Sequence, residues 1–431
     1  MFSSGNPCAH GEGGLLPIQL GRVYFFPSVT VSHGWDDNVE HLSEEDPLVG
    51  PVSSAIGDVQ PLLRFEFPFR KSLMRLVYRG DFRSYSAEIL KNSGGMSHFL
   101  DFETHLESSR RLRLDIGARY VDTITALLSL APGGEYQYGT QPVVVEEGRL
   151  ATGLELGPTQ SMELGIVQSK TTFQPGATAA LFTDYQSQDL FLHYVVNSGP
   201  ENQVYLLLDR QHVTQNGDSL LQPDDYRIRS IGAGYRRVSA QDQASEFKVA
   251  YTVTQFTEGL WTPFQGLTLE GDFNMAPSPQ TQLHFKLRRA PLISFFNVSA
   301  YYINEAANFE INRALGRVMG LRFLMDVQDN TFGDPILVTL PQPGGELDKD
   351  NDSLIDAYEN LLPSEGDVRE DRVVTATLAL LWHASRAMDF TVGYQHQQSR
   401  SNVEATGKQG DYHIFDYESH ALVLSVILGW K

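Results

Sequence analysis

The residues of this chain best spaced for chemistry are Asp348-Lys349-Asp350-Asn351-Asp352-Ser353-Leu354-Ile355-Asp356-Ala357-Tyr358-Glu359. With Asp348 as position 1, carboxylates recur at positions 3, 5, 9 and 12. Calcium is a hard cation that takes six to eight oxygens. A calcium loop of the EF-hand type supplies them from side chains at 1, 3, 5 and 9, a main-chain carbonyl at 7 and a bidentate Glu at 12. Here the ligands would be Asp348, Asp350, Asp352, the carbonyl of Leu354, Asp356 and Glu359. Ser353 stands where glycine normally makes the sharp turn, which weakens such a site without abolishing it. The alternative is a solvated acidic loop. The expected role of Ca2+ is structural: it neutralises the cluster and folds the segment.

A second set of charges has a different spacing. Arg64 and Glu66 form one group, and Arg75, Arg79, Asp81 and Arg83 another. Asp101 and Glu103 follow, then Arg111, Arg113, Asp115 and Arg119. Mixed charges in such rows are expected to line a wet lumen, where they either stand as opposed rows that create a transverse field across a pore or pair across neighbouring strands and keep the wall rigid. No Ser-centred elbow and no His-Glu-x-x-His occurs, and His105 alone is no triad. The chain is not expected to be an enzyme. The single cysteine, Cys8, excludes a disulfide framework and any multi-cysteine zinc site. It reads as a free thiol; lipidation is the alternative, though no Leu-rich run precedes it.

The elements that carry these charges have period two. Leu63, Phe65, Phe67 and Phe69 share one face, with Arg64 and Glu66 on the other. Met74, Leu76, Tyr78 and Phe82 oppose Arg75, Arg79, Asp81 and Arg83. Leu100, Phe102 and Leu106 oppose Asp101, Glu103, His105 and Glu107, and Leu112, Leu114, Ile116 and Tyr120 oppose Arg111, Arg113, Asp115 and Arg119. Side chains of a strand alternate between faces, so each segment predicts a strand with one apolar and one charged side.

The connections alternate too. Short polar turns are expected at Arg70–Ser72, Ser108–Arg110, Pro158–Gln160, Ser198–Asn202, Ala240–Ala244, Ala276–Gln280 and Ser385–Ala387. Longer ones lie between them, the longest, of more than 40 residues, after Gln328. This predicts an all-β fold: a transmembrane antiparallel up-and-down barrel of about 18 strands, with short periplasmic turns and long extracellular loops. The least regular stretch is Leu283–Leu315. The expected organisation is a flexible periplasmic segment, 1–20, and one barrel, 21–431, with a long acidic extracellular loop at 329–371. That loop holds twelve acidic and two basic residues, a large share of the formal net charge of −20. A soluble propeller or sandwich also alternates, but a packed interior would not tolerate charge in strand after strand. The acidity argues against a nucleic-acid partner. No apolar run reaches the ~18–20 residues of a membrane helix. Met1–Gly14 is polar and lacks the pattern of a signal peptide, so an outer-membrane destination implies a leader not included here.

The stretch Val23–Asn38, a first strand containing Pro27 and ending in Trp35-Asp36-Asp37-Asn38, resembles the start of the β-barrel porin 2 family. Tyr78-Arg79-Gly80-Asp81-Phe82-Arg83-Ser84-Tyr85 is similar to that family's Y-x-G-D-x-x-x-Y strand. The resemblance implies an outer-membrane channel, with export of a secreted exopolysaccharide as its cargo and periplasmic export components as partners. Small solutes are the other cargo, and outer-membrane lipid the surroundings. Asp36, Asp37 and Asn38 suit a turn at a strand end, through Asx-type hydrogen bonds, better than ligand contact. The alternative function is a calcium-stabilised scaffold or adhesion barrel with a plugged lumen and a surface partner.

Overall fold

The computed structural model describes residues 17–39, 41, 43, 44, 50–69, 72–90, 95–107, 109, 111–124, 142–174, 184–199, 201–216, 225–238, 244–257, 261–294, 300–335, 368–402, 405–407, 410–412 and 416–429. The alternating segments are strands. The sheet opens with β1 (Ile18–Leu20) on the edge of β2 (Val23–Asp36). Then come β3 (Ser54–Phe69), β4 (Ser72–Tyr85), β5 (Met96–Glu107), β6 (Leu112–Ile124), β7 (Pro142–Gly157), β8 (Gln160–Phe173) and β9 (Asp184–Asn197). The second half runs β10 (Asn202–Asn216), β11 (Tyr226–Val238), β12 (Ala244–Phe256), β13 (Gln265–Ser278), β14 (Thr281–Ile293), β15 (Tyr301–Ala314), β16 (Met319–Pro335), β17 (Val368–Ser385) and β18 (Met388–Ser401). A small hairpin of β19 (Ala405–Gly407) and β20 (Gly410–Tyr412) precedes the last strand, β21 (Tyr417–Gly429).

From β2 to β18 each strand pairs antiparallel with the next, and β18 pairs with β21. The sheet then closes on itself: β21 pairs with β2, Ser28 facing Gly429 and Asp36 facing Ala421. β1 takes over the same edge of β2 beyond that contact, Ile18 facing Phe25. Eighteen long strands therefore make a barrel without a free edge, which satisfies every ladder group internally. Gly429 has φ +129°, and a Cβ there would run into the backbone of Pro27 and Ser28 across the seam.

Closure gives the alternation its meaning. Val31, Trp35, Leu100, Leu150, Leu164, Leu206, Leu208, Ile231, Leu378, Trp382, Leu422 and Leu424 are exposed apolar residues on one face. Residues of opposite parity, such as Asp58, Asp81, Asp326, Asp371 and Asp389, are buried on the concave face. Apolar surface outside and charge inside is stable only where the outside meets hydrocarbon. Connections are short at one end, as between β3 and β4, and long at the other, as between β16 and β17. The chain is thus an outer-membrane β-barrel, its long connections extracellular. Among the described residues no helix is long and apolar enough to cross a membrane.

Three boundaries differ from the sequence reading. The tail expected at 1–20 already enters the sheet at Ile18. The loop expected at 329–371 is shorter, because β16 and β17 stay paired from Met319 and Trp382 up to Thr331 and Glu370. Acidic residues there sit on the wall: Asp329 meets Arg372, and Asp371 meets Arg369. A turn between Ala314 and Met319 was missed, since Leu315 and Val318 mask it with apolar side chains.

Candidate functional site

The concave face of β3–β6 carries the charges singled out in the sequence. Glu66 lies 3.5 Å from Arg64 on its own strand and 3.5 Å from Arg75 on β4. Arg75 also reaches Glu103 on β5 at 3.9 Å. Arg83 lies 3.5 Å from Asp81, and Arg119 on β6 lies 3.7 Å from Asp101 on β5. Arg113 bridges Asp115 at 3.1 Å and Glu163 on β8 at 3.1 Å. His105 also bonds Asp115. The charges pair locally rather than as two opposed rows. Partly exposed pairs of this kind contribute about 0–1 kcal/mol each, so their main effect is to hold side chains upright on the wall.

Two arginines depart from this mesh. Arg111 sits just before β6 at the periplasmic turn, its amide donating to Ser109 Oγ at 3.2 Å and its carbonyl accepting from the Glu155 amide at 2.8 Å. Arg79 makes no ion pair among the described residues and lies 4.0 Å over the ring of Phe99. Sequence reading missed Asp58, buried on β3, whose carboxylate shares the Gln60 amide with Asp81. Its alternation was visible, but Gly57 and Val59 hid it among small residues.

The opposite sector, β12–β16, is also charged and was not singled out. Lys248 meets Glu270 at 2.9 Å, Lys286 meets Asp272 at 3.6 Å, and Arg322 meets Glu310 at 2.9 Å. A recess of about 330 Å³ opens among Lys248, Glu270, Asp272, Lys286 and Arg288. Guanidinium groups cover inward aromatic rings: Arg64 over Phe26 at 4.1 Å, Arg369 over Phe332 at 4.7 Å and Arg236 over Tyr205 at 5.6 Å. Tyr205 in turn lies flat across Gly234, where a larger residue would not fit. Many wall charges remain wet: the Glu103 side chain is 71% exposed and that of Arg119 52%. On a concave face such exposure means open space in front of the wall.

The Trp35–Asn38 cluster caps the seam. Trp35 points outward at 49% exposure. Asp36 accepts from the Asn38 amide at 2.9 Å and from Ser419 Oγ at 2.9 Å. Asp37 accepts from the His420 amide at 2.7 Å, and Asn38 Nδ2 donates to the Glu418 carbonyl at 3.1 Å. These residues join the first and last strands of the closed barrel. His41, in the connection beyond, packs at a tilt against Tyr417, the ring centroids 5.0 Å apart; burial pushes its pKa down to about 4.

Two metal-type arrangements concern different chemistry. The calcium-type residues Asp348, Asp350, Asp352, Leu354, Asp356 and Glu359 lie outside the described residues, as does Cys8. On the outer face near the extracellular end, donor atoms of His396, Glu418 and His420 lie within 4.8 Å of one another. Tyr394 Oη sits 2.7 Å from His420 Nδ1. Two imidazoles and a carboxylate suit a transition metal rather than calcium.

No family model matches the sequence, and no curated protein matches it. Among solved structures, the chain is similar to Pseudomonas aeruginosa OpdO at 9% identity and a TM-score of 0.46, covering 95% of this chain and 98% of that one. It is similar to P. aeruginosa OccK2 (OpdF) at 12% identity and a TM-score of 0.46, covering 94% and 98%. It is also similar to the outer membrane protein opdK of that organism at 12% and 0.43, covering 94% and 99%. The barrel assignment rests on the closed ladder, in which β21 pairs with β2. The resemblance to the β-barrel porin 2 family finds no support in a matching family model.

Proposed function

We propose that the barrel is a passive, porin-like channel for small charged solutes. The observation that carries this reading is the wet, charged concave face, above all the exposed carboxylate of Glu103 at the barrel wall. An interior of about eighteen strands is wide enough to leave an aqueous path unless a loop plugs it. Both signs of charge line it, so selectivity by sign is weak; Arg79, which makes no ion pair among the described residues, adds positive charge in the arginine-rich sector. One of the similar structures is described as OccK2 (OpdF) in complex with glucuronate, a small charged solute bound to that protein.

Polysaccharide export, implied by the family resemblance, is the second cargo. Stacking on sugar rings needs uncovered aromatic faces, whereas Phe26, Phe99, Tyr205 and Phe332 each carry a guanidinium. The covered rings favour small ions over a sugar polymer. Planar-bilayer recording tests both readings. The expected result is a steady current that neutral oligosaccharides do not block. Silence would support the plugged scaffold and overturn the channel; block by oligosaccharides at low concentration would favour polymer export.

A further inference from the structure

We propose that the outer wall of β8–β12 is a binding site for a phosphorylated lipid of the outer leaflet, of the lipid A type. The inference does not depend on what passes through the lumen. It starts from outward-facing residues of β10 and β11. Leu206 and Leu208 on β10, and Ile231 on β11, form the exposed apolar belt. Towards the extracellular end the same faces change abruptly to Arg210 and His212, and to Arg227 and Arg229.

The register places like charges together. Arg210 faces Arg229, and His212 faces Arg227. Directly opposed like charges on one face of an antiparallel pair repel. All three arginines are exposed, and none forms an ion pair among the described residues. Their outward neighbours in register are uncharged: Gln188 beside His212, Leu190 beside Arg210, Gln255 beside Arg227. A basic patch whose neighbours across the ladder carry no carboxylate fits an anionic partner.

Its position identifies that partner. A recess of about 530 Å³ runs along the wall, lined by Leu190, Leu208, Ile231 and Tyr251, with Arg210 and Arg229 on its border. Asp209, which also borders it, is turned to the inner side and held by His193 at 3.3 Å. Apolar wall below and guanidinium groups above match acyl chains below and phosphate above. Arginine binds phosphate oxygens through paired N–H donors, and an outward arginine is tolerated at the rim of the belt but not at its middle. The long connections place this rim at the outer leaflet of the outer membrane, where the phosphorylated lipid is lipid A.

The test uses the full-length protein in a neutral detergent, titrated with bis-phosphorylated lipid A and read by native mass spectrometry. Phosphate-free lipid A and phosphatidylglycerol are the comparison lipids. The wild type is expected to retain bis-phosphorylated lipid A about tenfold more tightly than either. The combined variant Arg210→Ala, Arg227→Ala, Arg229→Ala should lose that preference. Arg237→Ala, outward at the periplasmic end, should keep it. Heat-modifiable gel migration reports folding of the variants, and the wild-type lipid comparison needs no variant at all. Equal retention of the three lipids by the wild type, or an undiminished preference in the folded triple variant, would overturn the proposal.

Discussion

His41 is a buried imidazole at the barrel seam, and its burial holds the neutral form. An unfolded or undocked histidine takes up a proton near pH 6.5, whereas His41 in place does so only at about 4. The docked state therefore binds fewer protons between those values, and docking weakens as pH falls through that window. Above pH 6.5 the docking is at full strength; near pH 4 it has lost about 3 kcal/mol at most. Amide exchange of Asp37 and Asn38, corrected for intrinsic rates, should show constant protection above pH 6.5 and declining protection below it. His41→Asn should flatten that dependence, since Asn tolerates the left-handed φ of +54° found here. Protection unchanged between pH 7.5 and 5 in the wild type would contradict the assignment. The same scale explains why the seam cluster was readable: Asp36-Asp37-Asn38 announces side-chain-to-backbone bonding wherever it occurs. Its partners Ser419 and His420 lie at the far end of the chain, and no local pattern links them.

At the scale of elements, the strands of this barrel were largely legible, because lipid on one side and water on the other impose a strict period of two. The count of eighteen follows from it, including the weakly alternating stretch that forms β14 and β15. What stayed hidden depends on register. The outward cluster of Arg210, Arg227 and Arg229 arises only when β10 and β11 are paired, as does the grouping of His396 with Glu418 and His420. The extra length of β16 and β17 was masked by acidic residues that looked like loop but pair along the wall. The connection at 336–367 lies outside the described residues, so its chemistry rests on spacing alone. We propose that it folds around calcium through Asp348, Asp350, Asp352, the Leu354 carbonyl, Asp356 and Glu359. Calorimetric titration of the chelator-dialysed full-length protein should show one saturable calcium site. Glu359→Gln should weaken it about tenfold or more, because the bidentate ligand is lost. A titration without heat, or one that Glu359→Gln leaves unchanged, would return this segment to a solvated acidic loop.

For the whole molecule, function depends on which face of the wall meets water. Ion pairs across β3–β8 and aromatic rings under guanidinium groups brace the inner surface. The outer surface is a band of leucine, valine and aromatic side chains, with Arg210, Arg227 and Arg229 clustered at its extracellular rim on β10 and β11. The most direct test replaces single residues by cysteine in a Cys8→Ser background and measures labelling by a charged, membrane-impermeant thiol reagent in proteoliposomes. Cysteine at Glu103 is predicted to react rapidly, and cysteine at Leu100 or Leu422 to be protected by lipid. Rapid labelling at Leu100 and Leu422 with protection at Glu103 would mean a protein whose apolar face is exposed to water and whose charges are sealed away, contradicting the channel at its base.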